Sequence, residues 1–275
     1  MSQNLRPTIS CLIIARDEEL MIAACISTVL WCDEILVIDT GSVDKTAQIA
    51  ERFGAKVIAF SHPSFSRLRE EALKRSNCDW VMYLDADERI TPQLAKEIQV
   101  NIETQSAEIM AFNRRNVHFG HELDYGGWGE DVVERVFKRS AILGWSGEIH
   151  ESPRFEGKAV VLKAKLAHFT HRDIVSGLFK SARWTPLEAK QLAAAKIPEV
   201  RLGTILRKGV MEFVRRAIFK KGYLDGQTGL VEALVQAINR MLVYLQVWEF
   251  QQKPTAAELY KQKELEIKKS WETNP

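Results

Sequence analysis

Three short acidic clusters stand before residue 90, each directly after an apolar run. Arg16-Asp17-Glu18-Glu19 follows residues 9–15 (ISCLIIA), Asp39-Thr40-Gly41-Ser42-Val43-Asp44 follows residues 35–38, and Asp85-Ala86-Asp87-Glu88 follows residues 81–84. Alternate carboxylates at the end of a buried strand can grip a hard divalent cation and leave positions open for phosphate oxygens. Asp85 and Asp87 have that spacing. Any one cluster is also ordinary turn chemistry, since Asp and Ser cap helices and follow strands. Three at one edge are different, because like charges repel unless something positive joins them. Residues 126–135 (GGWGEDVVER) form a second constellation. Its glycines permit close approach to a ligand, Trp128 offers a flat face to a sugar, and Glu130-Asp131 is an acid pair able to take a proton from a hydroxyl.

The apolar runs are short and rich in β-branched residues, and such runs read as buried parallel strands. Helical stretches lie between them at residues 20–31, 45–53 and 67–75, and residues 56–59 supply a further strand. Strand–helix alternation predicts an α/β fold, a Rossmann-like, mostly parallel sheet with right-handed crossovers. Ligands of such sheets bind beyond the carboxyl ends of the strands, where all three clusters fall. Thr91-Pro92 reads as the N-cap and first residue of the next helix. Residues 109–117 and 132–138 read as strands around the glycine-rich stretch 118–130. After His171 the pattern is helical to the end, with a turn at residues 222–229 (GYLDGQTG).

The 275 residues divide on this pattern into a catalytic domain, 1–171, and a helical C-terminal region, 172–275. With 46% hydrophobic and 27% charged residues the chain is a folding one. A net charge of +2 points to no nucleic acid. The four cysteines, at 11, 25, 32 and 78, form no close pair and read as buried free thiols of a reducing compartment. There is no basic-then-apolar start and no uncharged apolar run of about 18 residues, so the expectation is a cytoplasmic protein without a spanning helix. Neither GxGxxG nor GxxxxGK[ST] occurs, which excludes the dinucleotide and P-loop readings. Arg67 and Arg69 are cations that could help neutralise a diphosphate.

The combination ISCLIIARDEE, EILVIDTGSVDKTAQIA and WVMYLDADERI resembles glycosyltransferase family 2 over residues 8–170. The resemblance implies the GT-A nucleotide-diphospho-sugar transferase fold and an inverting hexosyltransferase that uses Mg2+ or Mn2+. Asp39 matches the family carboxylate on the base or ribose, Asp85 the nucleotide-side acid of the DxD motif, and Asp87 the principal metal ligand. Arg16, Glu18 and Arg69 fall on the donor side. Asp131, second of the acid pair, matches the general base, with Glu130 in reserve. Residues 145–151 (WSGEIHE) are similar to a W-x-G-x-V-H-E element of one branch, which places His150 at the metal or diphosphate and Trp145 and Glu151, with Trp128, at the acceptor. Asp17 and Glu70 stand where the family usually has Asn.

Residues 222–226 (GYLDG) resemble a G-F-L-D-G turn of bacterial β-1,4-glucosyltransferases that modify the lipopolysaccharide inner core. That implies a UDP-glucose donor and a saccharide or glycolipid acceptor. From residue 200 onward apolar residues recur at helical spacing beside Arg201, Arg207, Lys208, Arg215, Arg216, Lys220 and Lys221. Such helices can lie on an anionic inner-leaflet membrane surface. Two rival readings fit the sequence less well. A nucleotidyltransferase would carry a basic glycine-rich loop where Arg16-Asp17-Glu18-Glu19 stands, and a non-catalytic sugar-binding relative would have lost the DxD or the base.

Overall fold

The computed structural model describes residues 6–147 and 152–273. The chain divides into two compact units, one of residues 1–124 and 128–170, the other of residues 125–127 and 171–275. The first unit opens with β1 (Ile9–Ala15), α1 (Ile22–Ser27), β2 (Glu34–Asp39), α2 (Thr46–Arg52), β3 (Lys56–Ala59), α3 (Phe65–Arg75) and β4 (Trp80–Asp85). It continues through β5 (Glu88–Arg89), α4 (Pro92–Thr104), β6 (Ile109–His118), β7 (His121–Leu123) and β8 (Val132–Lys138). The last strands are β9 (Ile142–Ser146), β10 (Ser152–Phe155), β11 (Ala159–Val161) and β12 (Leu166–Phe169).

The main sheet runs β3-β2-β1-β4-β8-β6-β12-β5, with β7 and β11 also paired to β6. From β3 to β4 it is parallel, and β8 then enters antiparallel to both β4 and β6. β1 and β4 are apolar on both faces because helices cover both. Cys11, Ile13, Met82 and Leu84 pack with Ile22, Ile26 and Leu94 on one side. Leu12, Val81 and Tyr83 pack with Leu68, Phe137 and Trp145 on the other. All four cysteines are free; Cys11 and Cys25 are buried, whereas Cys32 and Cys78 are only half-buried. Thr91 caps α4 by accepting from Leu94 N at 3.2 Å, with Pro92 following it.

The second unit consists of α5 (Ile174–Ala194), α6 (Leu202–Val214), α7 (Gly226–Gln251) and α8 (Ala256–Thr273). A wide π turn at Arg215–Phe219 and a tight 3-10 turn at Gly222–Asp225 join α6 to α7. Ala189, Val200, Ile205, Val243 and Val247 form its small core. By length and composition only, residues 222–251 are long and apolar enough to cross a membrane, and 28% of the 18-residue window that meets this test is buried.

Candidate active site

The register of three parallel strands brings the acidic clusters together. Ala15 at the end of β1 pairs with Asp39, and Ile14 pairs with Asp85 on its other side. Strands lie about 4.8 Å apart, so the two aspartates flank one strand end roughly 10 Å apart. Asp87 follows two residues beyond, in the turn between β4 and β5.

The repulsion expected among the clusters is answered largely by the chain's own groups. Asp17 accepts from Val43 N at 2.9 Å, and Asp44 accepts from Glu19 N and Thr46 N at 3.0 and 2.9 Å. Asp39 accepts from Ser42 N and Oγ at 3.0 and 2.6 Å. The loops after β1 and β2 are thus laced to each other. Asp17 takes φ 55°, a left-handed conformation that Asp and Asn tolerate best. Arg16 is exposed and 3.8 Å from Asp17, and Glu18 N donates to Thr46 Oγ1 at 2.7 Å.

Asp85 is held differently. Arg135 Nη2 approaches it at 2.7 Å and Arg69 Nη2 at 3.3 Å. Burial pushes its pKa upward, but the Arg135 and Arg69 charges outweigh that and hold it well below the ordinary carboxylate range. Arg69 is buried, its guanidinium 4.7 Å from the Trp145 ring centre and 5.5 Å from that of Tyr83. Burial pushes the Tyr83 phenol up to about 12, and its hydroxyl donates to Arg69 O at 3.2 Å. Arg67 points elsewhere, to Glu70 at 3.1 Å.

Asp131 is gripped by Arg114, Nε to Oδ2 at 2.8 Å and Nη2 to Oδ1 at 3.0 Å, and Asn116 Nδ2 adds a bond to Oδ2 at 3.2 Å. Burial acts to raise its pKa, yet the Arg114 hydrogen bonds and charge bring it below the usual value. Asn116 Nδ2 also donates to Trp128 O at 2.9 Å, so its Oδ1 is the acceptor that faces His168 Nδ1 at 2.7 Å. His168 Nδ1 therefore carries the hydrogen, and the lone pair of a neutral ring lies on Nε2. That nitrogen is 3.6 Å from Asp87 Oδ2. A carboxylate oxygen and an imidazole nitrogen are donor atoms of the kinds that bind divalent cations.

Asp85, Asp87, Arg69 and Asp131 are therefore linked within the first unit, Asp39 lies across the end of β1 from Asp85, and Glu130 is exposed beside Asp131. His150 and Glu151 lie outside the described residues. Two expectations are corrected. Trp145, read as an acceptor platform, is 7% exposed and edge-on to Tyr83 at 4.9 Å, so its indole supports Arg69 from the core. The glycines around Trp128 were read as room for a ligand, but they make room for the chain itself. A Cβ on Gly129 would meet Asp124 O at 2.0 Å, and one on Gly127 would meet Lys220 Nζ at 2.7 Å. Trp128 is half-buried with its ring 4.4 Å from that of His118. Arg114 and Asn116 went unread in the sequence, where Glu88 stands only as the last member of an acidic cluster. The available signal was period two: Phe112, Arg114, Asn116 and His118 share one face of β6, and polar groups on a covered face need partners.

Residues 10–145 match the family described as glycosyl transferase family 2. An uncharacterized glycosyltransferase of Rickettsia bellii (strain RML369-C) is 34% identical over 266 residues, covering 88% of this chain and 86% of that one. The chain belongs to glycosyltransferase family 2. It is a nucleotide-sugar transferase with the GT-A fold, and the carboxylates at the strand ends lie where ligands of such sheets bind. A further relative, the lipopolysaccharide core biosynthesis glycosyltransferase LpsC of Rhizobium meliloti (strain 1021), is 26% identical over 254 residues, 88% of this chain and 92% of that one. Among solved structures, S. aureus TarS 1–349 in complex with UDP-GlcNAc is 13% identical at TM-score 0.47, covering 90% of this chain and 93% of that one.

Proposed function

We propose that this family 2 glycosyltransferase inverts the sugar it transfers, depends on Mg2+ or Mn2+, and builds a saccharide or glycolipid of the bacterial envelope. The observation that carries the catalytic reading is the register setting Asp39 and Asp85 on either side of one strand end. On this reading Asp39 meets the base or ribose of the nucleotide, and Asp85, Arg16, Glu18 and Arg69 surround the donor. The residues fit a hard cation: carboxylate oxygen and an imidazole lone pair stand 3.6 Å apart at Asp87 and His168. His168 joins Asp87, Asp85 and His150 as the groups that would hold the ion. When bound, the ion supplies positive charge for the departing diphosphate.

Asp131 takes the acceptor's proton. Its Oδ1 accepts the Arg114 Nη2 bond and retains a lone pair for a hydroxyl, while Arg114 and Asn116 fix the plane of the carboxylate. Glu130 is the reserve, and Trp128 and Glu151 are assigned to the acceptor. Support for a lipopolysaccharide-core acceptor comes from the Rhizobium relative and from the GYLDG turn, and support for a UDP-glucose donor from that turn.

A lipid-linked acceptor calls for an anionic membrane surface, and the second unit offers one a suitable face. α6 buries Ile205, Gly209 and Glu212, which leaves Leu206, Val210 and Met211 exposed beside Arg207 and Lys208. Ile218 and Phe219 are exposed next to them. The deciding experiment is a screen of nucleotide sugars for turnover with and without EDTA. Release of UDP from UDP-glucose that EDTA abolishes is the expected result, and turnover of no nucleotide sugar would overturn the reading.

A further inference from the structure

Six charged side chains form one continuous ladder through the first unit. Arg114 Nε bonds Asp131 at 2.8 Å, and its Nη1 lies 3.5 Å from Glu88 Oε1. Arg135 Nη2 then joins Glu88 Oε1 at 2.6 Å to Asp85 Oδ2 at 2.7 Å, and Arg69 closes on Asp85 at 3.3 Å. Three carboxylates alternate with three guanidiniums, so the formal charge is zero. The middle is dry, with the side chains of Glu88 and Arg135 0% and 7% exposed. Toward the ends Asp131 and Asp85 are 25% and 34% exposed. A ladder wet at its acids and dry at its centre holds two solvent-facing carboxylates at a fixed spacing.

The proposed reaction makes direct use of Asp85 and Asp131 but not of Glu88. We propose that Glu88 is a positioning residue for glycosyl transfer. It draws on Arg114 and Arg135 from the inside, setting the acceptor-side acid relative to the donor-side acid and keeping each guanidinium from being wholly committed to its outer carboxylate. This rests on the assignment of Asp131 to the acceptor and Asp85 to the donor.

The role calls for a carboxylate first and for glutamate length second. Glu88 Oε1 receives Arg135 while Oε2 accepts from Asp85 N at 2.9 Å. A glutamine offers one acceptor oxygen, so one of the two contacts would set donor against donor. An aspartate keeps the charge and both acceptors but is one methylene short. A second connection runs in parallel: Asp87 to His168 at 3.6 Å, His168 to Asn116 at 2.7 Å, and Asn116 to Asp131 at 3.2 Å. Asp131 is thereby tied to both acids of the DxD motif.

The test uses the full chain, with UDP-glucose, or whichever nucleotide sugar the screen identifies, as donor. Transfer is measured for Glu88→Gln, Glu88→Asp, Arg114→Gln and the Glu88→Gln/Arg114→Gln double variant, with near-UV circular dichroism reporting the folded fraction. Glu88→Gln is expected to lower kcat at least tenfold while donor KM moves less than threefold, because Asp85 keeps Arg69 and Arg135. Glu88→Asp should retain more kcat per folded molecule than Glu88→Gln, since charge outranks shape in this role. The double variant, whose ladder is again neutral, should be at least tenfold more active than the product of the single effects. The opposite order, Gln above Asp, or single effects that simply multiply, would reduce Glu88 to packing and overturn the proposal. Should Glu88→Gln fail to fold, Glu88→Asp carries the test: a fall in kcat with donor KM moved less than threefold is expected, and unchanged kcat would overturn the proposal. Wild-type transfer is scored separately, so the proposed function and the role of Glu88 can fail independently.

Discussion

Asp131 and Asp87 are the two side chains on which the proposed chemistry turns, and their surroundings make different demands on experiment. Asp131 sits in a bidentate Arg114 grip that keeps it ionised. Asp131→Asn should retain nucleotide-sugar binding by calorimetry and lose transfer by at least ~100-fold, the range of positioned acid–base catalysis. Loss of donor binding in that variant would move the residue to the donor side. The pH dependence has a definite sign. A carboxylate whose folded pKa is lowered contributes above its unfolded value, near 3.9, and that contribution disappears only as pH falls through the depressed folded value. The acid limb of kcat that Asp131 governs should therefore lie below the ordinary aspartate range, and an acid limb near pH 6 would assign the base elsewhere. Asp87→Ala should abolish Mg2+- or Mn2+-dependent release of UDP, and unchanged turnover would remove it from the metal site.

At the scale of elements, the acids after β1 and β2 are held by each other's loops, Asp85 at the end of β4 is held by Arg135 of β8 and Arg69 of α3, and Asp131 is held by Arg114 of β6. Removing one partner from a buried charge pair leaves the other uncompensated, which costs about 3–5 kcal/mol. Arg135→Ala strands Glu88, whose side chain is fully buried, and should lower unfolding free energy in urea by roughly that amount. A change under ~1 kcal/mol, a surface-pair value, would mean the ladder is wetter than its geometry says. Trp145→Ala tests the support of Arg69. Truncating a buried aromatic costs about 3–5 kcal/mol, and the variant should weaken donor binding as well as stability because the Arg69 guanidinium loses the ring it rests on. Stability loss with unaltered donor affinity would leave Trp145 a core residue and nothing more.

At the scale of the molecule, the chain joins an α/β unit that carries all the described candidate residues to a helical unit with exposed apolar and basic side chains. The full chain should float with anionic liposomes and release steeply as salt is raised, since interactions between exposed charges are screened over about 10 Å at 0.1 M. Binding indifferent to salt would leave the basic residues without a role at a lipid surface. The sequence by itself determined the strand-end acids, the parallel sheet and the cap at Thr91, because each depends on a local pattern: a short apolar run, the polar residue that ends it, a Thr-Pro start. It also determined the family, through the joint spacing of the Asp39 and DxD elements. Only the tertiary structure decided which cation meets which acid. Arg114, Glu88 and Arg135 come from separate strands and Asp131 from the residue before β8, and a charge's partner is fixed by strand order and register, which no local pattern encodes. The same physics moved Trp145 from an expected sugar platform into the core: an indole's burial depends on what packs over it, and the residues that do so, Tyr83, Phe137 and Arg69, lie far from it in the chain.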